Sequence, residues 1–249
     1  MKRVIAGPNA VTEILGAAPG SVIMVCLAEG LLPTTATRIQ DLARRRQVAV
    51  DVLPREQLDR LAKGLTHQGV VALTGDYPYA DLGTVLRDLA DAPEALMVVL
   101  DQVQDPGNLG SIARSAHALG ASGMIITRNR SAPVTPAAVR GSAGATELLR
   151  IARVTNLART VEELQGAGFR VLGAEAAAAV PVDRVDWHGR VALVLGGEAR
   201  GLRRLTRDKC DALFSIPLER GFDSLGVAAA AAICLFEAAR VRRITLPRP

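Results

Sequence analysis

Three short apolar runs punctuate the first third of the chain: SVIMVCLA (21–28), VAVDVL (48–53) and GVVALTG (69–75). Each has strand length and is rich in Val, Ile and Leu. Between them lie TTATRIQDLARRRQ (34–47) and PREQLDRLAKG (54–64), where apolar residues recur at helical spacing. The second opens on a proline, which a first helical turn tolerates because its missing N–H would be unpaired there. The pattern predicts a compact αβ unit ending near Gly75. DYPYADLGTVLRDLADAPEA (76–95) then reads as a polar, proline-bounded connection with one short helix, and residues 77–94 are taken as a linker.

The second half begins with ALMVVLDQV (95–103), an almost unbroken apolar run that suits a strand buried on both faces. GMIIT (123–127), RVLGAE (170–175), RVALVLG (190–196) and ALFSIPL (212–218) are further strand candidates. Helical segments separate the earlier ones, so a parallel sheet with crossover helices is the economical architecture and the fold class is α/β.

Composition narrows the chemistry. Apolar residues make up 49% of the 249 positions but aromatics only 3%, which fits aliphatic packing and argues against a platform that stacks bases on exposed rings. Cys26, Cys210 and Cys234 are odd in number, scattered and set in apolar surroundings, so buried free thiols in a reducing compartment are expected rather than a disulfide or metal site. No signal-like or membrane-length apolar run is present, and a soluble cytoplasmic protein is the expectation. Residues 1–92 balance ten basic against ten acidic side chains, so the net charge of +5 falls wholly after position 92, a bias that suits a polyanionic partner.

Ligands of open α/β sheets bind beyond the strand carboxyl ends. Three loops there are rich in small residues. In LDQVQDPGNLGSIARSAHALGASGMII (100–126), Gly107 and Gly110 allow close backbone approach, Asn108 stands at the turn, and Arg114 projects from the new helix near its N-terminal end. A dinucleotide turn is disfavoured, because the G-x-G-x-x-G spacing is absent and the next strand ends in ITRNR without an acidic residue for a ribose. In VALVLGGEARGLRRL (191–205), Gly196 and Gly197 follow a strand and Glu198 stands just beyond. In FDSLGVAAAAAICLFEAAR (222–240), Ser224 to Val227 form a loop and five alanines start the last helix. Taken singly, each loop is as well explained by turns and by alanine's helix propensity.

In order and content, however, DPGNLGSIARSAHALG, LGGEARGL and IPLERGFDSLGVAAAAAICLFE resemble the three motifs of the SpoU (TrmH-type) branch of the SPOUT RNA methyltransferases. VIAGPNAVTEIL, LTHQGVVAL and LLRIARVTNLARTVEEL look like the subgroup that methylates the ribose 2′-oxygen of a guanosine in the peptidyl-transferase region of 23S ribosomal RNA. A transfer-RNA target, an antibiotic-resistance site on ribosomal RNA, or a catalytically impaired knotted RNA-binding relative are the alternatives. The resemblance implies a ribosomal-protein-like RNA-binding unit at 1–76 and a deeply knotted methyltransferase domain at 95–249. It further implies S-adenosylmethionine as cofactor, a homodimer, and no metal. By the same carry-over, Leu195, Gly196, Gly197, Ile216, Leu218, Leu225, Gly226 and Val227 would hold the cofactor, while Asn108, Arg114, Glu198 and Ser224 would face the ribose as the catalytic set. One departure stands out: the family commonly reads Ser-Leu-Asn-Val-Ser where this chain has Ser224-Leu225-Gly226-Val227-Ala228.

In the N-terminal unit, Arg44, Arg45 and Arg46 can grip phosphates or line a solvated helix face, and His67 with Gln68 can contact RNA or finish a turn. His117 and His188 lack metal-like spacing, and Trp187 is expected to pack in the core.

Overall fold

The structure, a computed structural model, describes residues 3–198, 201–219 and 224–242. The chain begins with β1 (Arg3–Ala6), α1 (Pro8–Ala17), β2 (Val22–Ala28), α2 (Pro33–Arg45), β3 (Val50–Leu53), α3 (Arg55–Ala62) and β4 (Val70–Thr74). These four strands form a mixed sheet in the order β1-β4-β2-β3, with β4 antiparallel to both neighbours and β3 parallel to β2. Strand alternation sorts its side chains: Ile5, Val25, Leu27, Val70 and Ala72 face a core shared with α1 and α2, whereas Val4, Cys26, Val71 and Leu73 join Leu58 and Ala62 of α3.

After α4 (Leu82–Asp88) come β5 (Ala95–Asp101), α5 (Pro106–Ala118), β6 (Gly123–Thr127), α6 (Pro136–Gly141), α7 (Ala145–Leu148), β7 (Ile151–Val154), α8 (Leu157–Gly166), β8 (Arg170–Ala174), β9 (Arg190–Gly196), α9 (Arg204–Arg207), β10 (Ala212–Phe214) and α10 (Val227–Val241). All six strands are parallel, in the order β10-β8-β9-β5-β6-β7. The central strand β5 is buried along its whole length, as its unbroken apolar run predicts. One face of this sheet, with Leu96, Val98 and Leu100, carries α5 and α10; the other, with Met97 and Val99, packs Val85 of α4 and Val161 and Leu164 of α8. Alanine in α10 serves this packing: Ala231 and Ala238 are fully buried, on the side that meets α5.

Two strands escaped the sequence pattern. Both β1 (RVIA) and β7 (IARV) are four-residue edge strands interrupted by or beginning with arginine, too short to give a period-2 signal. Residues 77–94 contain the expected short helix, but they are bound to the second sheet rather than free of it. Ala80 bridges in parallel to Ala152, its N–H donates to Ile151 O, the Tyr77 hydroxyl donates to Thr146 O, and Tyr79 Oη accepts from the Val134 N–H at 2.9 Å. The sheets are also joined by Arg3, whose guanidinium forms a bidentate pair with Glu147 at 2.8 and 3.1 Å with both side chains almost fully buried. Trp187 is a core residue, edge-on to Phe214 at 5.4 Å. Cys26 and Cys234 are buried free thiols, but Cys210 is only half-buried. No helix among the described residues is long and apolar enough to cross a membrane.

Candidate functional site

Parallel strands send all their carboxyl ends to one rim of the second sheet, and the glycines of the sequence loops sit there because nothing larger fits. A Cβ at Gly196 would run into the Gly201–Leu202 peptide, and one at Gly197 into the carbonyl of Gln102. Gly197 N–H donates to Asp101 O at 2.8 Å, and Gly201 N–H donates back to Gly197 O at 3.1 Å. The loop after β9 is thereby closed on itself and pinned to the end of β5. Asp101, fully buried at that end, accepts from Arg203 Nε at 2.6 Å and from the Arg203 N–H at 3.0 Å, so an ion pair fixes the far side of the same loop. Gly110 allows the other close approach: a Cβ there would strike Ala138 O, so α5 and α6 touch backbone to backbone.

These approaches leave a cavity of about 420 Å³, within the range of small-molecule sites. Leu195, Gly196, Gly197, Ile216, Leu218, Leu225, Gly226 and Val227 all line it, together with Glu198 and Ser224. Its walls combine aliphatic side chains and Phe214 with loop backbone and the carboxylates of Glu175 and Glu198. Asn108 stands beside it. Asp105 caps α5 by accepting from the Asn108 N–H at 2.7 Å, and the Asn108 side-chain amide donates to Glu198 Oε1 at 2.8 Å, tying the first loop to the second. Burial raises the Glu198 carboxyl, but hydrogen bonds from Asn108, its own N–H and the backbone N–H groups of Gln104 and Asp105 outweigh burial, and its pKa lies below the ordinary carboxylate value. Glu198 is therefore an anion that orients Asn108.

Arg114 does not line the cavity. It lies in the third turn of α5, beyond its midpoint rather than near its N-terminal end, on the solvent-exposed stripe that also holds Gly107 and Ser111. Among the described residues its side chain makes no hydrogen bond or ion pair. Pattern reasoning missed Glu175, which lies just past β8 and lines the cavity, and the Asp101–Arg203 pair that fixes the loop. The signal for Glu175 was available: RVLGAE ends on the same rim as the glycine loops.

The N-terminal candidates divide. Arg44, Arg45 and Arg46 close α2 in full exposure, with Arg44 held loosely to Asp41 at 3.3 Å. His67 is buried and its ring is occupied: Nδ1 accepts from the Gly69 N–H at 3.1 Å, which leaves Nε2–H to donate to Asp59 at 2.7 Å. The ring holds the turn in which Gln68 and Gly69 adopt φ of 50° and 81°, the second of the two roles its sequence position allows. Among the described residues no group of three or more His, Cys, Asp or Glu side chains is placed to hold a metal ion.

Comparison with known proteins finds relatives along nearly the whole chain. Residues 95–236 match the model of the SpoU rRNA methylase family, and residues 4–80 that of the RNA 2′-O ribose methyltransferase substrate-binding domain. A Bacillus subtilis protein described as a TrmH-family tRNA/rRNA methyltransferase is 36% identical over 96% of this chain and 95% of its own length. An uncharacterized tRNA/rRNA methyltransferase of Mycolicibacterium vanbaalenii is 39% identical over 97% of this chain and 77% of its own. Among solved structures, the AdoMet-bound rRNA methyltransferase of Sinorhizobium meliloti superposes with a TM-score of 0.80 at 28% identity, covering 98% of this chain and 88% of that one. The SpoU methyltransferase AviRb of Streptomyces viridochromogenes, in complex with AdoMet, gives 0.80 at 28% identity, covering 97% and 91%.

Proposed function

The chain belongs to the SpoU rRNA methylase family and is an S-adenosylmethionine-dependent RNA ribose 2′-O-methyltransferase; from that premise we propose that its substrate is a guanosine of 23S ribosomal RNA. The observation that carries the site assignment is the meeting of the chain after β8, β9 and β10 at one cavity, with the loop after β5 tied to its edge through Asn108 and Glu198. Leu195, Gly196, Gly197, Ile216, Leu218, Leu225, Gly226 and Val227 would hold the cofactor, with Glu175 as an added polar contact at the β8 end. When bound, S-adenosylmethionine supplies an already activated methyl group.

What remains for the protein is to place the ribose oxygen in line, exclude water and assist loss of one proton. Arg114 cannot be the base, because a guanidinium stays protonated; its unpaired charge holds an RNA phosphate and stabilises the developing alkoxide. Glu198, an anion held by hydrogen bonds from Asn108 and backbone N–H groups, an RNA phosphate and water are the groups that can take the proton. Ser224 and Asn108 orient the ribose.

A second copy of the chain completes this assembly. Leu225, just before α10, and Ala229, Ile233 and Phe236 along it form an exposed apolar stripe, with Phe236 60% exposed, that starts at the cavity edge. The threaded chain path of the family belongs to the same proposal; supporting it are the closure of Gly197 on Gly201 and the passage of α10 across the sheet onto α5. Free thiols suit a cytosolic setting.

Incubation with labelled S-adenosylmethionine and separate ribosomal and transfer RNA pools tests the substrate. Label should appear on a guanosine ribose of 23S RNA; label in transfer RNA alone, or in neither pool despite RNA binding, overturns that assignment. Arg114→Ala should lower transfer by about 10²–10³-fold with cofactor affinity unchanged. A variant of normal rate removes Arg114 from the mechanism.

A further inference from the structure

A second groove opens on the same rim, away from the cofactor cavity. Its volume is about 590 Å³, and it lies where β6 and β7 end, walled on one side by Tyr79–Gly83 of the connecting segment and on the other by the first turns of α8. Three arginines reach it: Arg128 just past β6, Arg153 in β7 and Arg159 in α8. Arg153 is fixed where it stands, and the Arg128 backbone with it. The Arg128 N–H donates to Val154 O at 2.7 Å, Arg153 Nη2 donates to Arg128 O at 3.1 Å, and the Arg153 guanidinium lies 5.3 Å from the centre of the Tyr79 ring. Arg153 Nε is buried with no hydrogen-bond partner.

The acidic groups of the groove are already engaged. Asp81 accepts from the Thr84 N–H and hydroxyl at 2.9 and 3.0 Å, and Glu163 pairs with Arg159 Nε at 3.1 Å. Arg128 is exposed and, among the described residues, has no side-chain partner. The groove thus presents an excess of positive charge in forked donors matched to phosphate oxygens.

We infer that the groove formed by Arg128, Arg153 and Arg159 binds backbone phosphate of the RNA substrate, gripping the strand a few nucleotides from the ribose that is methylated. The inference rests on the RNA methyltransferase assignment for its partner, but the groove itself stands on geometry alone. In the sheet, β7 is three positions from β9, about 14 Å at the usual strand spacing. That is about four nucleotides of a stacked strand at 3.4 Å each. A strand lying across the rim would meet the cofactor cavity and this groove in turn. The connecting segment that walls the groove also joins the two sheets, so the same contact sets how RNA held by the N-terminal unit enters the site.

The test compares wild type with the Arg128→Gln/Arg159→Gln double variant, whose altered side chains are exposed and leave the fold intact. Binding of total ribosomal RNA is measured as a function of salt, and cofactor binding by calorimetry on the same samples. The expected result is an affinity about tenfold lower, a slope of log K against log salt flatter by about 1.5 units, and unchanged cofactor affinity. Unchanged RNA affinity and slope overturn the inference. If inorganic phosphate binds wild type and not the variant while RNA affinity stays the same, the groove serves a free anion and the inference is also overturned. Should wild type bind RNA yet methylate neither pool, the substrate assignment fails while the groove is still judged by its own binding data.

Discussion

The mixed four-stranded sheet and the all-parallel six-stranded sheet differ in where they send their strand ends. In the first, β4 runs against both neighbours, so strand ends and loops are divided between two edges. In the second, every strand finishes on one rim, and both grooves described above open there. Tolerance should follow the same division. The parallel sheet's loops contain glycines pressed against backbone, whereas the N-terminal unit offers its arginines from an exposed helix end. A parallel sheet gathers chemistry at a point; a mixed one of this size supplies surface.

The largest effect is expected from Gly196→Ala. The added methyl group collides with the Gly201–Leu202 peptide, which cannot yield without opening the loop, so calorimetry should find cofactor binding lost. Retained affinity would mean the loop is looser than its packing indicates. Arg3→Ala comes next, because it leaves Glu147 buried without its partner between the two sheets; a loss of about 3 kcal/mol in urea unfolding is expected. Values below about 1 kcal/mol would show that the sheets are held mainly by apolar contact. Replacing Arg44, Arg45 and Arg46 together by alanine should weaken RNA binding about tenfold at low salt without altering thermal stability. Equal binding would assign that run to a solvated helix face. The smallest effect sharpens the parallel half: a Cβ at Gly226 meets no atom within 4 Å, and Gly226 is the N-cap of α10. Gly226→Asn should therefore add a few tenths of a kcal/mol to stability, read as a small rise in Tm.

The legible parts of the fold were those with a strong local period. GMIIT and RVALVLG coincide with β6 and β9, and the alanine run with the start of α10. What escaped was short or edge-bound, such as β1 and β7, where four residues including an arginine carry too little pattern. At the site, the motif residues that line the cavity were readable because each needs a small or apolar side chain at a fixed place. His67 was ambiguous because a histidine beside Gly69 looks the same in sequence whether its ring is free or, as here, tied to Asp59 and a backbone N–H.

The chain's own sequence determined the types of its strongly periodic elements, the parallel character of the second half and the identity of the loops, since periodicity and glycine placement are local properties. Only the tertiary structure decided that Asn108 and Glu198 meet across ninety positions, that Asp101 is buried against Arg203, and that Arg128, Arg153 and Arg159 share a groove. Such meetings depend on strand order, and strand order is set by how whole faces of helices and sheets pack, which no short window of residues contains.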